Sequence, residues 1–102
     1  MIKLPTKVKI GLFDYSIETL PKEEINGLLG QYSASQQSIK IAEEQVDQCK
    51  IDTVLHEVLH AVFYHSGLQI SDEEERWVRV LVPWIIKLLK DNPELVTLVK
   101  KL

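Results

Sequence analysis

The chain is poor in the features that mark specialised proteins, and each shortage excludes something. It has one cysteine, Cys49, so no disulfide scaffold can hold it, and a reducing compartment is implied. Four glycines and four prolines are too few for a low-complexity or linker-rich chain. Positive charge is in deficit: a net charge of −3 argues against a general nucleic-acid binder, whose footprint would be basic. The longest apolar run, residues 80–86, is interrupted by Pro83 and falls far short of the ~18 residues of a membrane span. The first ten residues alternate lysine with apolar side chains and lack the continuous apolar stretch of a signal peptide. A cytoplasmic protein is expected.

What is present suits one folded domain over residues 1–102. With 45% hydrophobic and 26% charged residues the composition is ordinary for a globular chain. Area scaling at this size allows roughly 65% of the unfolded surface to be buried. The chain divides near Val46. Residues 1–45 carry strand signals: β-branched and aromatic residues alternate over 7–20, with Gly11 and Asp14 as turn points. Residues 22–29 make a helical turn closed by Gly27 or Gly30. A hairpin follows, with one strand around Tyr32, a polar turn over 35–38 and a second strand at 39–42. Residues 46–102 are helical in period. The first long helix covers 47–66 and is stopped by Gly67; the second, over 72–90, has Ser71 or Asp72 at its N-cap. A short last helix starts with Pro93 at its first position. The fold class is α+β, a small antiparallel sheet followed by helices.

One constellation stands out. His56-Glu57-Val58-Leu59-His60 is an HExxH motif on the first long helix. Residues four apart differ by about 40° around a helix and about 6 Å along it, so both imidazoles leave one face. That separation lets two ring nitrogens reach one Zn²⁺ at ~2.0–2.1 Å. Glu57 falls beside the metal, where it would accept a proton from a water activated there. The residues at 51, 54, 55, 58, 59, 61 and 62 form an apolar face opposite the histidines. Composition alone would produce the motif in roughly one such chain in a hundred. Two of the chain's three histidines lie in it.

A catalytic zinc needs a third protein ligand and an open fourth position. His65 is about 180° from His56 on the helix and cannot serve. The second helix offers Glu73, Glu74 and Glu75. If Trp77, Val80, Leu81, Trp84, Ile85 and Leu88 are its buried face, Glu73 and Glu74 each lie about 50° from the centre of that face and Glu75 about 150° away, toward solvent. Periodicity does not separate Glu73 from Glu74. Both also suit an ordinary first turn, with Ser71 to Glu74 as a capping box.

The segments HEVLHAVFYHSGL and EEERWVRVLVPWI resemble the zincin metallopeptidases of the ImmA/IrrE type, most of all the short members carried by phages and prophages. The resemblance covers about half the chain, 53–92, and, unlike the larger members of that family, a second domain is not expected. It implies a minimal zincin-like domain whose second long helix bears the third ligand, Glu74, so that the zinc set is His56, His60 and Glu74. It implies a zinc-dependent metallopeptidase in which Glu57 is the general base, acting on a peptide or protein substrate. Residues 39–42 are expected either as an edge strand able to hold an extended peptide or as part of an ordinary hairpin covering the core. So small a domain builds only a shallow groove, which a second copy or a partner protein would complete. The alternative is a metal-binding, non-proteolytic interaction or regulatory module of a phage.

Other residues receive plainer readings. Asp52, one turn before His56, is a solvated helix-start acid or a partner of that ring. Cys49 is expected packed, Tyr64 and Tyr32 at the core edge, and Trp77 and Trp84 in the core. Pro83 removes one helical hydrogen bond and should bend the second helix.

Overall fold

The computed structural model describes residues 2–68 and 72–102. Strands come first: β1 (Lys7–Ile10), β2 (Phe13–Leu20), β3 (Gly30–Ser33) and β4 (Ser38–Ala42). Helices α1 (Asp47–His65), α2 (Glu73–Asp91) and α3 (Pro93–Lys100) follow. The chain is therefore α+β, divided close to Val46. The β1–β2 turn passes through Gly11 at φ 61°, a left-handed conformation that glycine adopts at no steric cost. A short 3-10 turn, Lys22–Ile25, ends at Asn26 and Gly27, both left-handed.

The sheet order is β1-β2-β4-β3. β1 and β2 pair antiparallel, as do β3 and β4. β2 and β4 pair parallel, Ile17 beside Ile39 and Thr19 beside Ile41. The sheet is thus mixed, not the antiparallel one expected. The connection over residues 21–37 is long enough to return β4 beside β2 in the same direction, which a tight hairpin cannot do. The same topology puts β4 inside the sheet. The edge strands are β1 and β3, not residues 39–42, which lie in β4 between β2 and β3; β4 is buried at four of its five positions.

Ile10, Tyr15, Ile17, Ile39, Ile41 and Ala61 make the core between the sheet and α1. Alternation along β2 and β4 sends these side chains to one face of the sheet. Tyr15, wholly buried, places its hydroxyl 2.6 Å from His65 Nε2, tying β2 to the end of α1. The end of α1 is a Schellman motif: the Leu68 N–H donates to the Phe63 carbonyl and the Gly67 N–H to that of Tyr64, both at 3.1 Å, with Gly67 at φ 72°.

α1 meets the sheet along Thr53, Glu57 and Ala61, all buried. Gly30 is why it can come so close. A Cβ built there would lie 2.5 Å from Thr53 Cγ2. The broad apolar face expected on α1 is covered only in part, with Ile51 and Val62 exposed at its margins. Cys49 is exposed, not packed.

α2 departs further from expectation. It packs on α1 through Val78 and Val82, while Trp77 and Trp84, expected in the core, are 52% and 73% exposed. The helix is rotated relative to the expected buried face. It continues through Pro83 without a break. The Ser71 N-cap and capping box lie outside the described residues, and the Asp72 side chain makes no capping bond. Among the described residues no helix is long and apolar enough to cross a membrane.

Candidate metal centre

The rotation of α2 decides which glutamate meets the histidines. Taking Val78 and Val82 as the contact face, Glu75 lies about 40° from its centre, Glu74 about 60° and Glu73 about 160°. Glu75, expected to face solvent, therefore turns toward α1. Its Oε1 lies 2.8 Å from His56 Nε2 and its Oε2 2.8 Å from His60 Nε2. The two Nε2 atoms are 3.3 Å apart. Ligand atoms of these three residues all fall within 4.8 Å of one another.

Glu74, the expected third ligand, stands elsewhere. Its Oε2 is 2.5 Å from His60 Nδ1, the ring nitrogen on the side away from Glu75. It holds the ring by its far edge while Glu75 meets the near one. Glu73 is exposed and on the wrong side of α2 for either role. Tyr32 of β3 lies parallel to the His60 ring, with centroids 5.9 Å apart and planes within 4°. His60 is thus fixed by a carboxylate at one nitrogen and an aromatic plane alongside.

Edges of a tetrahedron with ligands at ~2.05 Å are about 3.3 Å long. The Nε2–Nε2 separation matches that edge, and the carboxylate oxygens stand slightly inside it. Two imidazole nitrogens and a carboxylate are a donor set suited to zinc. The 2.8 Å contacts are equally those of a hydrogen-bonded His–Glu cluster, in which protons occupy the place a cation would take.

Electrostatics separate the two acidic groups on either side of the histidines. Burial works against ionisation of Glu75, but His56, His60 and a hydrogen bond from Arg79 outweigh it and hold its carboxyl below the ordinary range. Glu57 goes the other way. It is only 8% exposed, and burial pushes its carboxyl up to about 7, with His60 opposing and Glu75 reinforcing the rise. Its Oε2 lies 3.2 Å from where a Cβ on Gly30 would stand, so Glu57 is tucked beneath the edge strand. Burial also raises the Tyr32 hydroxyl, with Glu74 adding to it.

Two adjoining grooves reach the cluster. One of about 490 Å³ is lined by Leu28, Gly30, Asp52, His56, Glu57 and Arg79 among others; the second, about 370 Å³, runs past Tyr32 and His60. Asp52 is exposed along the first. Tyr64 is exposed, and its ring meets the edge of His65.

Gln45 and Thr53 were not legible as site residues. Gln45 Nε2 donates to the carbonyls of Ala42 and Leu29, at 2.8 and 3.2 Å, and its Oε1 accepts from the Thr53 hydroxyl at 2.8 Å. One side chain thus joins the end of β4, the approach to β3 and the first turns of α1. No periodic pattern marks such a residue. The chain matches no known family, no curated protein and no solved structure.

Proposed function

We propose that the protein is a zinc-dependent metallopeptidase whose ligands are His56, His60 and Glu75. The observation that carries the reading is the convergence of three donor atoms from two helices, with the Nε2 pair at a tetrahedral edge. This revises the expected set by one residue, Glu75 for Glu74. Zinc held there would polarise a scissile carbonyl and activate water. The protein's own residues do the rest. Glu74 holds the His60 ring through Nδ1 so that Nε2 faces the cluster, an arrangement that orients a metal-binding histidine and raises its basicity. Glu57, with a carboxyl near neutrality, is suited to take a proton and return it to a leaving amine. Gly30 and Tyr32 bring an edge strand alongside, where an extended peptide has backbone groups to pair with. The lone cysteine suits a cytoplasmic setting, in a bacterium or a phage-infected cell.

A second reading, a metal-binding but non-proteolytic interaction module, is favoured by one observation: Glu57 is covered by β3. Hydrolysis of an unstructured protein, such as casein, by the zinc-loaded chain separates the two. The peptidase reading expects cleavage that stops with a chelator, returns with zinc and falls by two orders of magnitude or more in Glu57→Gln. Zinc binding with no cleavage of any peptide pool leaves the module.

A further inference from the structure

Among the described residues, nothing covers the outer face of α2. Trp77, Leu81, Trp84 and Leu88 form a continuous stripe and are all exposed, Trp84 most of all. The stripe lies about 110° around the helix from the Val78 and Val82 contact and about 150° from Glu75. It is thus separate from the candidate metal centre. Arg76, Pro83 and Lys87 lie about 90–130° around the helix from it, so the proline does not interrupt it.

Surface area says how much is left uncovered. The chain exposes 7492 Å², about 1,600 Å² more than a folded monomer of this mass is expected to show. A standard interface removes about 800 Å² from each partner. Four large side chains in one stripe, two of them tryptophans, supply most of such an area, since each aromatic alone offers about 150–250 Å². Homodimer interfaces are the apolar kind.

We propose that this stripe is a homodimer interface in which α2 pairs antiparallel with α2 of a second copy. The spacing is what selects a second copy. Positions 77, 81, 84 and 88 are separated by four, three and four residues, a sequence that reads the same in both directions. Antiparallel pairing about a twofold axis between residues 82 and 83 therefore sets Trp77 against Leu88 of the other copy and Leu81 against Trp84. In this arrangement the two helix dipoles oppose. Metal centres then face away from the dimer axis and remain open.

Sedimentation equilibrium and thermal unfolding over a range of protein concentrations test this on the full chain. The wild type is expected to be dimeric at micromolar concentration, with a midpoint that rises with concentration. Trp84→Glu, at an exposed position, should keep the helical circular dichroism and weaken dimerisation by about a hundredfold or more, since the residue enters a twofold interface twice. Orientation is read by cross-linking in a Cys49→Ser background. Oxidation should link Trp77→Cys protein to Leu88→Cys protein when the two are mixed, and neither to itself. A wild type that stays monomeric, a dimer indifferent to Trp84→Glu, or self-linking of Trp77→Cys would each overturn the proposal. So would a monomer that binds anionic vesicles through Trp84, because the stripe would then belong to a lipid surface.

Discussion

Replacing Gly30 by alanine would place a methyl carbon 2.5 Å from Thr53 Cγ2 and 3.2 Å from both Cγ and Oε2 of Glu57. Carbon atoms rest at about 3.5–4.0 Å, so the first contact demands about an ångström of movement. Thr53 is badly placed to supply it. The residue is buried, and its hydroxyl donates to Gln45 Oε1 and to the Cys49 carbonyl, each at 2.8 Å. Overpacking of this kind costs about 1–3 kcal/mol. The lower entropy of an unfolded alanine returns about 0.4–1 kcal/mol, leaving a net loss of about 1–2 kcal/mol. For a domain of this size that lowers the thermal midpoint by about 4–16 °C. The cause is isolated by Thr53→Ser, which removes the clashing methyl and keeps both hydroxyl bonds. In that background Gly30→Ala should be nearly neutral, giving a coupling of at least about 1 kcal/mol in a double-mutant cycle. Urea titrations of the four proteins followed by circular dichroism measure it. Equal costs in both backgrounds, or a neutral Gly30→Ala on its own, would refute the claim that this glycine sets how closely α1 approaches β3.

Three further outcomes follow from the same geometry. Glu57 has a carboxyl near 7 in the fold against 4.5 ordinarily. Its raised value makes the metal-free protein lose stability as pH rises from about 4.5 to about 7, with no further change above. Glu57→Gln should therefore gain on the wild type across that window by no more than about 3 kcal/mol; a difference in urea midpoints that stays flat with pH contradicts this. Gln45→Leu removes two donated bonds and one accepted bond and should cost about 1–3 kcal/mol, so an unchanged thermal midpoint would deny its joining role. Gly67→Ala, at φ 72° in the cap of α1, should cost about 1 kcal/mol, whereas Gly11→Asn, in a position that tolerates asparagine, should cost less; the reverse order in thermal melts would count against the cap.

Legibility followed locality. The β1–β2 turn at Gly11, the hairpin around residues 34–37, the HExxH helix and its stop at Gly67 all depend on neighbours in sequence, and each was readable. The parallel pairing of β2 with β4 depends on where a long connection returns, which no local pattern states. α2 shows the limit more sharply. Trp77, Leu81, Trp84 and Leu88 form one apolar stripe, and Val78, Val82 and Ile85 form another beside it. Apolar content spread over so wide an arc does not say which edge meets α1. The larger side chains suggested the wrong one, and a helix turned by that amount exchanges Glu74 for Glu75 at the histidines. Gly30, Gln45 and Thr53 position the site through single contacts, which carry no period at all.

Zinc stoichiometry of the purified chain, measured beside His60→Ala, Glu75→Ala and Glu74→Gln, tests the central claim most directly. The account expects about one zinc per chain in the wild type, none retained in His60→Ala or Glu75→Ala, and binding weakened about 10–100-fold but present in Glu74→Gln. Zinc kept by Glu75→Ala and lost from Glu74→Gln would return the ligand to Glu74. No zinc in the wild type, even after its addition, would leave a hydrogen-bonded His–Glu cluster and contradict the account.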